Sequence, residues 1–428
     1  MMKTLSVRAQ NYVDHFEAAL ERLPGLKDRN IKALRKSGIE RFAARDFPTR
    51  KIEEWRYTNL TQFVKMAANT AANEDTAALP ALTPQAFDAK WEMVFVDGIF
   101  AADQSRLEDL PNGLSISSLA SELGNGAVFS LNDEEDRALV TLNTAFMRDG
   151  FCLHVSENTQ IDDVLAITFR NTASNDGRHI RNRIILDTDA QLTVLERHEG
   201  TGTYFVNPVT QVSLADGARL DHYKLQNDSI AACHLAITDV DIAGKAIYKN
   251  FTLSVGAKLS RNELKTVILG ADAQSHLDGA YLMRGEQHCD TTTLTEHKVP
   301  QNISKQTYKG VLDDKAHGVF QGKIHIFKDA QQVAGDQLSK ALLLSDFAAV
   351  DCKPELEIHA DDVKCSHGAT TGELDEDALF YLQARGIPYE SARLLLIEAF
   401  MGDVLEHIDN EQVRSYFSTQ AAAWLSGK

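Results

Sequence analysis

The sequence contains no C-x-x-C pair, and its five cysteines (Cys152, Cys233, Cys289, Cys352, Cys365) lie far apart along 428 residues. Closed zinc sites draw on closely spaced thiolates, so this spacing argues against one and favours free thiols that behave as small apolar groups. No apolar run approaches the ~20 residues needed to span a bilayer. The opening stretch MMKTLSVRAQNYVDHF lacks the apolar centre of a secretory leader. A cytoplasmic protein with no membrane partner is the expectation. Basic residues are also in short supply: 44 Lys and Arg face 61 Asp and Glu, for a formal net charge of −17. Phosphate binding needs clustered Lys and Arg, so nucleic acid is not an expected partner.

Catalytic signatures are missing too. GVFQGKI (318–324) has three residues between its glycines and Ile after Lys, whereas a phosphate loop needs four and then Ser or Thr for magnesium. There is no G-x-S-x-G elbow, no H-E-x-x-H and no G-x-G-x-x-G. Asp239 and Asp241 are spaced to share a strand face, as in the acid groove of a carbohydrate-active β-helix enzyme, which stands as an alternative function.

What is present is the composition of a globular protein, 43% hydrophobic and 25% charged, long enough for two or three domains. Val13, Phe16, Leu20 and Leu23 follow a helical 3–4–3 spacing until Pro24-Gly25 stops the run. FPTRKIEEWRYTNL (47–60) reads as an amphipathic element that docks Trp55 and Tyr57 on a core. The segment NTAANEDTAALPALTP (69–84) reads as a linker. From about residue 94 the pattern turns to short strands, and Asp189-Ala190, Gly217-Ala218, Lys245-Ala246 and Asp272-Ala273 place turn alanines 28, 28 and 27 residues apart. Strands at that period without helical crossovers fit a parallel β-helix, with a long-stranded β-sandwich as the structural rival.

After about residue 370 the sequence reverts to helix. Asp375 is placed as an N-cap, Gly386 as a stop and Pro388 as the next start, and Ala392, Leu395, Leu396, Ala399 and Phe400 make one apolar stripe. These helices read as a cap on the solenoid's end, as a docking surface, or as both.

The candidate site is DDVKCSHGATTG (361–372). Cys365 and His367, two apart on a strand, project from one face and can serve as metal ligands, whereas His288-Cys289 point to opposite faces. Spacing alone leaves open a ligand pair, a site shared with another chain, and a buried thiol beside a hydrogen-bonded histidine. Six further histidines, His222, His234, His276, His297, His317 and His325, also sit in strand-like runs.

Three stretches carry a resemblance. LEIHADDVKCSHGATTGELDEDALFYLQARGI (356–387), AHGVFQGKIHIFKDAQQVAGDQLSKALLLSD (316–346) and RKIEEWRYTNL (50–60) resemble the SufB/SufD family of SUF-system iron–sulfur cluster assembly scaffolds. C-S-H-G-A-T in place of H-E-A-T-T, and no cysteine in Leu338–Leu342, are more similar to the SufD branch and imply that the chain is not the primary sulfur acceptor. The resemblance implies a mainly β fold: a right-handed parallel β-helix (95–370) between a helical N-terminal domain with its linker (1–94) and a helical C-terminal domain (371–428). It implies a non-catalytic scaffold that pairs with a SufB-like paralogue through the β-helix and docks a SufC-like ATPase on the C-terminal helices. Leu379, Phe380, Leu395, Leu396 and Phe400 are the expected ATPase-facing residues. His367, with Cys365 beside it, is expected at the SufB interface, handling a transient iron–sulfur cluster or iron that the isolated chain does not hold stably. A homodimer is possible in isolation, and a purely structural solenoid partner is the remaining alternative.

Overall fold

A computed structural model describes residues 5–63, 87–124, 137–173 and 177–427. The expected linker, 69–84, lies outside the described residues. Strands dominate, and they form two parallel sheets. The first holds β1 (Trp91–Val96), β2 (Ile99–Phe100), β5 (Gln160–Asn171), β7 (Gln191–Gly200), β9 (Arg219–Asn227), β11 (Ile247–Ser254), β13 (Gln274–Met283), β15 (Ile303–Leu312), β17 (Val333–Leu343) and β19 (Val363–Gly372). The second holds β3 (Leu114–Ser118), β4 (Phe151–Val155), β6 (Gly177–Leu186), β8 (Phe205–Leu214), β10 (Cys233–Ile242), β12 (Leu259–Ile268), β14 (His288–His297), β16 (His317–Ile326) and β18 (Ala349–Ile358). Consecutive strands from β4 onward alternate between sheets, so every coil gives one strand to each. This is a parallel β-solenoid, and the sandwich is excluded. Its strands run from 91 to 372, a few residues beyond the expected 95–370 at both ends.

The periodic turns hold the coils in register. Asp189, Gly217, Lys245 and Asp272 adopt φ of 55°, 71°, 60° and 60°, and the alanine after each is fully buried. Three of these four are not glycine, so the left-handed conformation is imposed by the stack. The Asp189 amide donates to the Asp216 carbonyl, Gly217 to Gly244, Lys245 to Ala271 and Asp272 to Gln301. The ladder therefore continues around the corners of the coil.

Inside, side chains stack in columns. Met93, Phe95, Leu165, Ile167, Phe169 and Leu192 fill the first coils. Further along, Tyr308 lies opposite Gly279 and Gly310 opposite Tyr281. A Cβ on Gly310 would sit 2.1 Å from the Tyr281 ring, so each ring fills the space that its neighbouring coil leaves empty.

Helices cover the two flanks. α1 (Val7–Leu20), α2 (Arg29–Arg45) and α3 (Leu60–Phe63) precede the strands, while α4 (Leu119–Gly124) and α5 (Ala138–Phe146) interrupt the first coils. Tyr12, Phe16, Phe42 and Phe146 pack on Phe205, Val209, Leu235 and Ile237 of the nine-stranded sheet. The expected amphipathic element contains a 3-10 turn (Glu53–Trp55), and the stretch 53–58 straps four strands together. Arg261 lies 4.0 Å over the Trp55 ring, and Thr58 bonds His288 and Asp290. The Glu54 carbonyl accepts from Gln321, and Glu53 pairs with Lys353 at 2.7 Å. Trp55 is buried as expected, whereas Tyr57 is only half-buried.

At the other end of the chain, α6 (Glu376–Ala384), α7 (Tyr389–Leu405) and α8 (Glu411–Leu425) follow β19. Asp375 caps α6 by accepting from the Asp377 and Ala378 amides. Ile397, Met401, Val404, Val413 and Phe417 pack on Leu195, Tyr223, Phe251 and Leu282 of the ten-stranded sheet. The helices thus lie along a flank of the solenoid and not across its end, because the outer faces of these middle strands are themselves apolar and need a cover.

Buried ionisable groups tie stability to pH. Burial pushes His179, His234, His288 and His297 down to about 4 and lowers His276, whereas the Asp278 hydrogen bond raises His407. Groups with depressed folded values stay neutral while the unfolded chain takes up protons below 6.5, so stability is lost as pH falls from there toward 4. Each of the four histidines near 4 contributes on the order of 1 kcal/mol per pH unit in that window. His407 acts in the opposite sense, five against one. Thermal unfolding followed from neutral pH down to pH ~5 should show a falling midpoint; a flat or rising one would contradict the buried, neutral state.

Candidate functional site

The two ends of the solenoid differ. At the first, β2 pairs antiparallel with β1 and β3 antiparallel with β4, which blunts both sheets. At the last, β18 pairs only with β16 and β19 only with β17. Among the described residues nothing pairs with the outer edges of β18 and β19, and their residues are half-buried or exposed while interior strands are mostly buried. Two parallel edges at one end present a row of free backbone donors and acceptors.

Cys365 and His367 stand on this terminal strand. Register places Cys365 opposite Gly335 and His367 opposite Gln337, both in columns that face the solenoid interior. Cys365 is half-buried and packs with Ile324, Val333 and Ala360, while His367 is exposed. Burial raises the Cys365 thiol, with Asp336 adding to the shift and the Gly335 amide opposing it. At neutral pH the group is a thiol and not a nucleophilic thiolate, so a metal ion would have to displace its proton. Among the described residues no hydrogen bond joins it to His367, so the two are not a hydrogen-bonded pair. Ser366, on the opposite face, donates to Asp336 at 2.7 Å.

Sequence reasoning missed two neighbours. The Gln337 side chain is buried, and both its Nε2 and Oε1 lack a hydrogen-bond partner among the described residues. The column continues inward from His367 through Gln337 and Gln306 to Leu277. Gln306 accepts from Thr293 at 2.6 Å, so Gln337 is the unsatisfied polar group behind His367. Cys352 of β18 also faces inward, 3.5 Å from the Ser339 hydroxyl, its thiol raised mainly by burial. Counting back one coil, 30 residues from His367, finds Gln337; strand alternation finds Cys352.

Four of the six further histidines are committed elsewhere. His222 is buried against Glu196 and Tyr248, and His234 is buried beside Asp228. His297 bonds Ser304, and His317 pairs with Asp351. Cys289 lies in the core and His288 beneath Thr58, on opposite faces. Asp239 is held by Arg137 through bonds of 2.9 and 2.7 Å, so Asp239 and Asp241 do not form a free carboxylate pair.

The C-terminal residues divide. Phe380 and Leu395 are 72% and 46% exposed, and Tyr381 and Tyr389 beside them are exposed as well. Leu379 and Leu396 are half-buried. Phe400 packs on the flank with the Lys309 ammonium 4.6 Å over its ring. Of the expected stripe, Ala392 is buried and Ala399 exposed. The face of α7 that meets the sheet is centred instead on Ile397, Met401 and Val404.

The geometry is therefore an open-ended parallel β-solenoid with helical flanks and a thiol–imidazole pair on its last strand. The family model described as "SUF system FeS cluster assembly, SufBD core domain" matches residues 169–400, and "SufBD protein N-terminal region" matches residues 6–167. The chain belongs to the SufBD family of iron–sulfur cluster assembly proteins. It is 29% identical over 404 residues to an iron–sulfur cluster assembly SufBD family protein of Synechocystis, covering 90% of this chain and 89% of that one. It is 29% identical to the chloroplastic protein ABCI7 of Arabidopsis thaliana, covering 90% and 84%, and 28% identical to the iron–sulfur cluster assembly protein SufD of Escherichia coli, covering 89% and 90%. No helix among the described residues is long and apolar enough to cross a membrane.

Thiol chemistry checks this geometry. Under native conditions alkylation should reach Cys365, Cys352 and Cys152, which are half-buried, and spare Cys233 and Cys289. Peptide mass spectrometry after timed labelling reads the order; Cys289 reacting as fast as Cys365 would mean that the coil interior is open.

Proposed function

We propose that this chain is a SufD-like scaffold subunit that supports iron acquisition and cluster assembly, in which Cys365 and His367 form half of a site completed by a SufB-like paralogue. The observation that carries this reading is the open end: unpaired edges of β18 and β19 bordering an inward-facing thiol and imidazole. A homologous solenoid offering the same edges can continue both sheets by strand addition. Iron or the nascent cluster is cargo here. One thiol and one imidazole leave a cluster short of its usual four protein ligands, so the rest come from sulfide or from the facing chain. A site divided between two scaffolds loses ligands when they shift apart, which allows release. Cys365, protonated when empty, gives up its proton on ligation, so retention of cargo through the thiol strengthens as pH rises.

Energy for that shift comes in this proposal from a SufC-like ATPase, since no phosphate loop lies in this sequence. Phe380, Tyr381, Tyr389 and Leu395 offer an exposed apolar patch beside the flank-packing residues of α7. The location follows the host's assembly machinery, with the cytoplasm as the expected compartment. Where the paralogue is absent, the same edges favour a homodimer.

The test is cargo. His367→Ala should leave the fold and the complex intact and lower iron and acid-labile sulfide per anaerobically isolated complex several-fold, with Cys365→Ala weaker. Normal cluster content in the His367 variant would leave only the structural-partner alternative, and an equal fall in thermal stability would make the residue a packing element. Because α7 and α8 cover the ten-stranded sheet, docking is tested by substitution and not by deletion. Phe380→Asp with Leu395→Asp should abolish capture of the ATPase without changing the melting temperature or the capture of the paralogue. Retained ATPase would remove α6 and α7 from the interface.

A further inference from the structure

On the outer face of the last coil, away from Cys365 and His367, three side chains from two parts of the sequence converge. His325 lies in β16, Glu357 is its register partner in β18, and His359 begins the link from β18 to β19. The His359 Nε2 stands 3.1 Å from Glu357 Oε1, and His325 Nε2 stands 3.7 Å from the same oxygen. All three potential ligand atoms lie within 4.8 Å of one another. With metal–ligand bonds of about 2.0–2.2 Å, neighbouring donors around one ion sit about 3–3.5 Å apart. The two distances to Glu357 Oε1 lie within a few tenths of an ångström of that range, and the two imidazole nitrogens, no more than 4.8 Å apart, draw together as they close on the ion.

The surroundings prepare each donor. The Glu296 carboxylate lies 4.0 Å from His325 Nδ1, which favours the proton on Nδ1 and leaves Nε2 free toward Glu357. Phe327 stacks on the His325 ring at 4.1 Å and fixes its plane. Lys323 holds the other oxygen of Glu357 at 2.5 Å, which fixes the carboxylate and leaves Oε1 toward the two histidines. The His359 amide donates to the Ile326 carbonyl at 2.9 Å, anchoring the start of the link. His359 and Glu357 are 54% and 42% exposed, so solvent can supply the remaining coordination positions.

We propose that His325, Glu357 and His359 form a surface site for one divalent first-row transition-metal ion such as Zn(II) or Fe(II). Two imidazoles and one carboxylate select borderline ions over magnesium or calcium, whose preferred donors are all oxygen. The ion would clamp β16 to β18 and to the link that leads into β19. This proposal stands apart from the assembly reading, because it uses neither Cys365 nor His367.

The experiment is calorimetric titration of the full chain, carrying no affinity tag, with Zn(II) and, under anaerobic conditions, with Fe(II) in millimolar magnesium. One equivalent should bind with micromolar or better affinity. His325→Ala and His359→Ala should each weaken that binding at least about tenfold, since even outer-shell partners of metal ligands are worth about 10–100-fold. The Cys365→Ala/His367→Ala chain should bind the equivalent unchanged. Hydrogen exchange in β18 and in the link should slow on adding Zn(II) to the parent chain and not to the His325→Ala/His359→Ala chain. Binding as tight in that double variant as in the parent overturns the proposal, as does an equivalent lost only with Cys365 and His367.

Discussion

The backbone ladder between coils is the constraint on which the rest of this molecule depends. A strand in a parallel stack bonds one neighbour below and one above, and here the ladder continues through the turns from Asp189 to Asp216 and from Gly217 to Gly244. Once the coils are locked at that spacing, the interior columns, the left-handed turn residues and the Gly–Tyr exchange at Gly279, Tyr281, Tyr308 and Gly310 all follow. So does the asymmetry of the ends. A ladder must stop somewhere, and this one stops behind antiparallel strands at its start and in unpaired backbone at its finish.

The flanks obey a second requirement. Parallel sheets bury both faces, so the outward residues of the middle strands are apolar and the N- and C-terminal helices are their covers. Toward the last coil of the nine-stranded sheet the covers thin out among the described residues, with the strap residues Glu53 and Glu54 reaching the middles of β18 and β16. Polar outward positions such as Lys323, His325 and Glu357 appear where no helix reaches.

How much of this could be read from the sequence depended on regularity. Alanines at 190, 218, 246 and 273 exposed the period because those coils are 27 or 28 residues long. Beyond them the register advances by 29 to 31 residues per coil in the ten-stranded sheet, as from Gln274 to Ile303 and from Val333 to Val363, and a fixed-period search loses the signal. Cys365 and His367 were legible because they are two apart on one strand. Gln337, which needs the coil length to align it, was not, and neither was the grouping of His325 with Glu357. In α7 the apolar residues are too many for spacing alone to choose a face. The sheet selected Ile397, Met401 and Val404 and turned Leu395 outward. A cap across the end was a reasonable expectation from the need to satisfy edges, but apolar flanks compete for the same helices, and the flanks are larger.

Closing one end of the stack and leaving the other free has a consequence for assembly size. A solenoid open at both ends is a monomer for polymerisation, adding copies head to tail without limit. With its first coil blunted by β2 and β3, the described residues of this chain offer sheet edges for extension at one end only. Under the proposed pairing through that end, two like solenoids would make a finished pair with no sheet edge left for further extension.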